Sequence, residues 1–412
     1  MRAYVEAYGC TLNIGESREI EDLLASRGWS IVHSPEEADL AVLATCVVIE
    51  KTELAMLKRL RELRTVPRLI VTGCMATILR EKAESVAPEA VFVPPGDLGL
   101  LADLTGPAIS PLPPSRIERE SFGIVPIATG CLGSCSYCIT RFARGELKSR
   151  PVEGVVNTVR DLVSAGPREV QLTAQDTAAY GADIGRTLPE LVAEICEIPS
   201  DFRLRIGMMN PRSVLSLMDA IASMYHHPKV FKFLHLPIQS GSDRILREMC
   251  RGYTLSDFKA IVAKVRAVSP VVNLSTDLII GYPGETDEDH RMNMRAISDT
   301  EPDIVNVTKF SSRPGTKAAL SDAKVAGWKA KERSRDITEL RFRIALEKNR
   351  TWVSEKVIAM ATERGKNGST IFRTNEYRQV VVPGGHSLGR YRSLRITDAT
   401  PTYLRGELEA TD

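Results

Sequence analysis

The 412-residue chain lacks any apolar run approaching the roughly 20 residues that cross a bilayer, so a membrane-embedded protein is not expected. An apolar leader is missing as well. Met1-Arg2-Ala3-Tyr4-Val5-Glu6 passes directly into strand-like alternation, and no secretory signal peptide is expected. There is no dense disulfide-type array of cysteines either. Eight cysteines spread over this length fit a reducing cytoplasm, where thiolates stay free for metal. Net charge is small, at +2, but the balance hides an asymmetry. Residues 1–110 carry 11 Lys+Arg against 16 Asp+Glu, whereas residues 329–412 carry 17 against 11. A basic tail is compatible with a polyanionic partner, and equally with a solvated basic face. Hydrophobic and charged contents of 43% and 26% are globular values, and the length implies two or three domains.

What is present is concentrated in one run, Gly130-Cys131-Leu132-Gly133-Ser134-Cys135-Ser136-Tyr137-Cys138. Its C-x3-C-x2-C spacing offers three thiolates from one short loop. A structural zinc site closes with four protein ligands, and cubane iron–sulfur clusters usually take four cysteines. Three leave one coordination position for a small molecule. A zinc knuckle or three unrelated core thiols is the plainer alternative. The spacing, with an aromatic residue before the last cysteine, resembles the radical S-adenosylmethionine (SAM) enzymes. That resemblance implies a [4Fe–4S] cluster whose free iron chelates the amino and carboxylate groups of SAM.

The first hundred residues alternate between strand and helix patterns. Strands are predicted at Arg2–Tyr8, Asp39–Thr45 and Arg68–Thr72, and helices at Glu16–Arg27, Lys51–Arg64 and Ile78–Val86. This rhythm implies a parallel, flavodoxin-like sheet with helices on both faces. Cys10, Cys46 and Cys74 then fall at the carboxyl ends of strands, the rim where such sheets place ligands. One cysteine there means little, but three on one rim look like a second three-thiolate site. Cys196 and Cys250 lie in helical stretches without a partner pattern and read as core residues.

Prolines 107, 111, 113 and 114 mark a linker. Beyond it, strands are predicted at Gly123–Ala128, Glu169–Thr173, Arg203–Gly207, Lys232–Leu236, Val271–Asp277 and Ile304–Val307. Helices are predicted at Val155–Ser164, Leu188–Ile198, Val214–Tyr225, Leu255–Val268 and Asp287–Ser298. Six βα repeats imply a partial TIM-like barrel whose strand ends gather polar groups. Gln175-Asp176, Asn210, Gln239-Ser240, Asp277 and the turn Gly281–Thr286 follow successive strands, where amides, carboxylates and open backbone can hold a nucleoside ligand. Taken singly, each is ordinary turn chemistry.

The C-terminal stretch reads as five short strands separated by turns such as Gly365-Lys366-Asn367-Gly368, a compact β-barrel of OB-like size. Arg364, Lys366, Arg373, Arg378, Arg390, Arg392 and Arg395 lie amid Phe372, Tyr377 and Tyr391. Basic groups with interleaved aromatics suit a folded RNA.

Nearly the whole chain resembles one family. The two cysteine sets and Phe310-Ser311-Ser312-Arg313-Pro314-Gly315-Thr316 look like radical SAM methylthiotransferases. Tyr137–Gly145, Leu172–Gly181, Arg205–Pro211 and His235–Ser242 bring it nearest to the archaeal and eukaryotic type acting on N6-threonylcarbamoyladenosine in tRNA. One residue departs: Ala44 stands where an Asn usually precedes the Thr-Cys pair.

The resemblance implies an α/β chain of three parts: an N-terminal methylthiotransferase domain (1–105), a radical SAM core (120–345) after a linker (106–119), and a TRAM RNA-binding domain (350–412). It implies two [4Fe–4S] clusters, on Cys131/Cys135/Cys138 and on Cys10/Cys46/Cys74, and two SAM molecules per turnover. Tyr137, Gln175, Asp176, Arg205, Asn210, Gln239, Ser240, Asp277, Gly281 and Gly284 are the expected SAM contacts. Arg364, Lys366, Arg373, Arg378, Arg390 and Arg392 are the expected RNA contacts. The implied reaction inserts a methylthio group at carbon 2 of the adenosine next to the anticodon. That carbon has no acidic proton, so a 5′-deoxyadenosyl radical would take its hydrogen. A ferredoxin- or flavodoxin-like electron donor, a monomeric state and a cytoplasmic location go with this reading, and the sulfur source stays open. The alternatives are an isopentenyladenosine-type or ribosomal-protein methylthiotransferase, a non-catalytic iron–sulfur or zinc RNA-binding protein, and N-terminal cysteines used only for electron relay.

Overall fold

The structure, a computed structural model, describes residues 1–109, 122–166 and 168–409. Residues 110–119 of the expected linker lie outside the described residues.

The N-terminal sheet holds β1 (Arg2–Ala7), β2 (Ser30–Val32), β3 (Leu40–Thr45), β4 (Leu69–Gly73) and β5 (Val91–Phe92) in the order β2-β1-β3-β4-β5. All neighbours pair in parallel. Every residue of β3 and β4 is buried, as a strand covered by helices on both faces requires. Strand order reverses between β1 and β3, which opens a crevice at their carboxyl ends. The predicted helix Ile78–Val86 is instead two short helices, Cys74–Ile78 and Arg80–Glu84, because Leu79 (φ −119°, ψ 33°) leaves helical geometry between them. The first helix starts earlier than predicted, at Thr11 directly after Cys10.

The central part holds six parallel strands. They are β6 (Phe122–Pro126), β9 (Glu169–Thr173) and β10 (Arg203–Ile206) in one sheet, and β11 (Phe233–His235), β12 (Asn273–Ile280) and β13 (Ile304–Lys309) in another. A parallel bridge between Leu204 and Val230 joins the two into one open, partial barrel. Val170, Leu172, Leu204, Ile206, Leu234, Leu274 and Val305 pack outward on the helices. Strand alternation turns Glu169, Gln171, Arg205, Phe233, His235, Asp277 and Asn306 toward the lumen. Two short strands, β7 (Ala128–Thr129) and β8 (Lys148–Ser149), pair antiparallel and pinch the base of the cysteine loop. The predicted helix Val214–Tyr225 divides into Pro211–Leu215 and Met218–Met224, since Leu217 (φ −124°, ψ 17°) interrupts it.

A 24-residue helix, Gly327–Arg350, was not anticipated as one element. Its buried Ile337, Leu340 and Ile344, at helical spacing, join the barrel's outer core. It leads into a closed barrel of β14 (Lys356–Arg364), β15 (Thr370–Thr374), β16 (Gln379–Val382), β17 (Tyr391–Ala399) and β18 (Leu404–Leu408). Ala359, Phe372, Val380, Leu394, Ile396 and Leu404 fill it. Among the described residues no helix is long and apolar enough to cross a membrane.

Candidate cluster sites and barrel lumen

The cysteine loop leaves the partial barrel between β7 and β8 through Gly130, whose φ of +77° suits glycine. A Cβ there would lie 1.8 Å from the Glu146 carbonyl oxygen, so no other residue fits where the loop closes on itself. Cys131, Cys135 and Cys138 are all partly exposed. A Cβ built on Gly133 would sit 3.3 Å from the Cys131 sulfur and 3.7 Å from the Cys135 sulfur, so these two thiols converge on a residue without a side chain. Burial pushes the Cys131 thiol up to about 11 and raises that of Cys138, so metal must displace a proton there. Ser136 pins the loop: its amide donates to the Met249 carbonyl (3.1 Å) and its hydroxyl to the Glu248 carbonyl (2.8 Å).

Arg251 escaped the sequence reading. Its guanidinium donates to the Cys135 sulfur (3.0 Å), the Tyr137 hydroxyl (3.3 Å), Asn210 Oδ1 (3.2 Å) and the Tyr253 hydroxyl (3.2 Å). It places a positive charge against the loop and ties it to the end of β10. No spacing in the sequence announces this role.

Cys10, Cys46 and Cys74 follow β1, β3 and β4 at the strand-order reversal and its neighbour. A Cβ on Gly9 would lie 2.8 Å from the Cys46 sulfur, which brings the Cys10 turn onto Cys46. Gly73, at φ +81°, would put a Cβ 2.4 Å from the Thr45 carbonyl oxygen, so only glycine lets β4 turn into the helix that starts at Cys74. Burial drives the Cys74 thiol up to about 12 and also raises that of Cys46. Ala44 is itself buried within β3.

One side chain links the two loops. Arg144 lies six residues after Cys138, and its side chain is 0% exposed. It donates to both oxygens of Glu16 (2.5 and 2.8 Å) and to Asn13 Oδ1 (2.6 Å). Asn13 in turn donates to the Tyr8 and Thr45 carbonyls (both 2.8 Å), the residues beside the Cys10 and Cys46 turns. Ile139, next to Cys138, is buried in the same core as Cys74 and Met75. Two further ion pairs hold the parts together: Arg150–Glu19 and the buried Arg313–Glu53, each at 2.5 Å. Among the described residues no three His, Cys, Asp or Glu side chains are set closely enough for a single metal ion. Three thiolates with no fourth protein ligand are a donor set that suits a cluster with one open iron rather than a closed structural zinc site.

The expected SAM contacts divide by position. Asn210 stands beside the cysteine loop through Arg251, and Gln175 has a buried Oε1 without a hydrogen-bond partner, a free acceptor at the rim. Tyr137 packs with Ile245, Met249 and Tyr282 beneath the loop. Asp176 is fully engaged, accepting from the Asn210 amide (2.9 Å), the Ala178 amide (3.2 Å) and the Ser213 hydroxyl (2.6 Å). It organises the rim rather than reaching into it. Ser240 is buried and donates to Asn293 Oδ1 (3.1 Å), while Gln239 adopts φ +65°. Asp277 faces the lumen, accepting from Asn306 Nδ2 (2.7 Å) and paired with His235 Nε2 (3.0 Å). Burial alone would raise its carboxyl, but these partners hold it below the usual range. Gly281 turns against the long helix, where its Cβ would meet Ala330 at 2.8 Å, and the Gly284 amide donates to the Ala323 carbonyl (2.7 Å) ahead of that helix. Arg205 is not at the rim but on the lumen floor, between Phe233 and Tyr377.

The expected RNA contacts also divide. Arg364, Lys366, Arg390 and Arg392 lie on the exposed surface of the C-terminal barrel. Arg378 is drawn inward, donating to Asn349 Oδ1 (2.7 Å) and Asp303 Oδ1 (2.6 Å), and Arg373 is paired with Glu363 (3.2 Å). Tyr377, at φ +62°, inserts into the foot of the central barrel and donates to Glu169 Oε1 (2.7 Å). Cys196 is buried as expected, but Cys250 sits half-exposed at φ +57° outside the core.

Family models match in three stretches: the Radical SAM superfamily over residues 125–297, the TRAM domain over 361–408, and the uncharacterized protein family UPF0004 over 2–94. The fold also matches a radical SAM methyltransferase, TsrM, from Kitasatospora setae, with a TM-score of 0.59 over 77% of each chain at 14% identity. Partial barrel, three-thiol loop and these matches define a radical SAM protein ending in a TRAM barrel. Among curated relatives, a probable threonylcarbamoyladenosine tRNA methylthiotransferase of Archaeoglobus fulgidus is 39% identical over 100% of this chain and 99% of its own length. A tRNA-2-methylthio-N(6)-dimethylallyladenosine synthase of Dictyoglomus thermophilum is 34% identical over 98% of each. The chain belongs to the threonylcarbamoyladenosine tRNA methylthiotransferase family.

Proposed function

We propose that this protein is a radical SAM transferase that inserts a methylthio group at carbon 2 of N6-threonylcarbamoyladenosine, next to the anticodon of a tRNA. The observation that carries the reading is the juncture of two three-cysteine loops from separate sheets through Arg144 and Ile139. Cys131, Cys135 and Cys138 would hold one [4Fe–4S] cluster, with SAM bound at its open position. Cys10, Cys46 and Cys74 would hold a second. Bound there, these groups supply one-electron cleavage of SAM and a carrier for sulfur, which ordinary acid–base side chains cannot provide.

The chain's own residues bind, align and shield. Arg251 holds the Cys135 loop to Asn210, and Gln175 offers a free acceptor at the rim. Arg144 keeps the two cysteine sets in register. Exposed Arg364, Lys366, Arg390 and Arg392 would meet tRNA phosphates. The target base lies in an already single-stranded loop, so turning it into the lumen costs less than opening a duplex. Two SAM molecules per turnover, a ferredoxin- or flavodoxin-like donor, a monomer and a cytoplasmic setting complete the proposal.

Nucleoside mass spectrometry tests it. Reconstituted protein with SAM, reductant, sulfide and tRNA bearing threonylcarbamoyladenosine should yield the 2-methylthio nucleoside. The triple change of Cys131, Cys135 and Cys138 to Ala should abolish 5′-deoxyadenosine formation. Changing Cys10, Cys46 and Cys74 to Ala should lower bound iron by roughly half and stop thiolation while SAM is still cleaved. Product on isopentenyladenosine tRNA alone would transfer the assignment to the chemistry named for the Dictyoglomus thermophilum relative.

A further inference from the structure

Among the described residues no carboxylate lies within ion-pair distance of Arg205, a guanidinium that strand alternation turns toward the barrel lumen. Arg203 has Asp201 (3.4 Å) and Arg373 has Glu363 (3.2 Å). Lumen carboxylates make their hydrogen bonds to other groups, and Glu169 reaches Arg205 only through space. Glu169 accepts from Tyr377 and Gln171 (both 2.7 Å), and Asp277 is held by His235 and Asn306. Arg205 itself makes one long hydrogen bond, from Nη1 to Gln171 Oε1 at 3.4 Å, and its Nε is buried without a partner.

The side chain is nonetheless held in place. Its guanidinium carbon lies 4.9 Å from the Phe233 ring centroid and 5.2 Å from that of Tyr377. Aromatic contacts of this kind fix a guanidinium and leave its N–H edge for a planar acceptor, which a carboxylate matches with two parallel hydrogen bonds. Glu169 offsets this charge only through space, so the guanidinium keeps an N–H edge free for an arriving anion. Arg205 sits inside β10, five residues before Asn210 and the loop that reaches the cysteine rim, and its contacts are separate from the Arg251–Asn210 network at that rim. The lumen above it is open at its β13 edge, where Asn306 and Thr308 are exposed.

We propose that Arg205 is the specificity-determining residue that receives the carboxylate of the threonylcarbamoyl substituent, a role that rests on the substrate reading above. An adenine presented with carbon 2 toward the cysteine rim has its N6 substituent beyond N1, free to extend down the lumen. The threonyl carboxylate then meets the Arg205 fork, an anion that an isopentenyl group does not carry. The TRAM barrel takes part in choosing the substrate, because its Tyr377 supplies one of the rings that position Arg205.

Three anticodon stem-loop RNAs test this with the full-length reconstituted protein: one with threonylcarbamoyladenosine, one with its carboxylate converted to the neutral methylamide, and one with isopentenyladenosine. The wild-type protein should prefer the carboxylate over the amide by about tenfold to a hundredfold in kcat/KM. In Arg205→Gln that preference should collapse toward unity, and Arg205→Lys should recover only part of it. Equal wild-type rates on carboxylate and amide overturn the proposal, even if the glutamine variant does not fold. So does a folded Arg205→Gln protein that keeps the full preference. A wild-type protein active only on the isopentenyl RNA overturns the substrate reading itself, a result distinct from the other two.

Discussion

Replacing Arg144 by Met removes the charge that joins the two cysteine loops and leaves its partners in place. Glu16, whose side chain is 8% exposed, loses hydrogen bonds of 2.5 and 2.8 Å, and Asn13 loses one of 2.6 Å. Removing one partner of a buried ion pair costs about 3–5 kcal/mol, because the remaining charge stays desolvated and unpaired. Against a typical domain stability of about 5–15 kcal/mol that is a large fraction. Urea unfolding followed by Trp29 fluorescence measures it, since Trp29 is buried in the N-terminal core with its indole N–H on the Thr105 carbonyl (3.0 Å). A background of Trp328→Phe and Trp352→Phe makes that signal unique. The double variant with Glu16→Gln removes the stranded charge and should recover a substantial part of the loss. Bound iron in Arg144→Met should fall as well, because Arg144 also lies against Cys74. A loss below about 1 kcal/mol, or no recovery in the double variant, would refute the claim that this pair holds the loops together.

Two more perturbations read the rest of the frame. Burial works against ionised Asp289, yet hydrogen bonds from Ser242, Thr286 and Arg244 hold its carboxyl down to about 2. Its stabilisation is therefore present above about pH 4, where an ordinary aspartate is ionised, and is lost as pH falls through about 2. Acid unfolding of Asp289→Asn should show a shallower slope across that window, and an unchanged slope would deny the carboxylate this role. Deleting residues 352–412 strips Tyr377 from Glu169 and uncovers Phe231 and Phe233, which pack against Met360, Tyr377 and Tyr391. The truncated protein should lose solubility and SAM cleavage together with tRNA binding. Intact SAM cleavage at full solubility would make the last barrel a detachable module.

Much of this protein is written locally. Hydrophobic alternation places strand ends, and Cys10, Cys46 and Cys74 sit just beyond three of them, so a shared rim follows from the parallel βα rhythm alone. The Cys131–Cys138 spacing needs no tertiary information to bring three thiols into one loop. Boundaries failed where one backbone residue breaks a helix, as at Leu79 and Leu217, because average periodicity does not register a single torsion.

The sequence by itself determined the class of fold, the two cysteine sets and the family resemblance, since these are patterns of neighbours. Only the tertiary structure decided which charges those sets meet. Arg144 finds Glu16 across 128 residues, Arg251 reaches Cys135 across 116, and Tyr377 reaches Glu169 across 208. Such pairs leave no periodic trace. Their energy comes from shared burial, which exists only once the separate sheets have packed and water has been excluded from between them. The same is true of Arg205, one of 54 Lys and Arg residues in the sequence and a lumen guanidinium held between Phe233 and Tyr377 only in the fold.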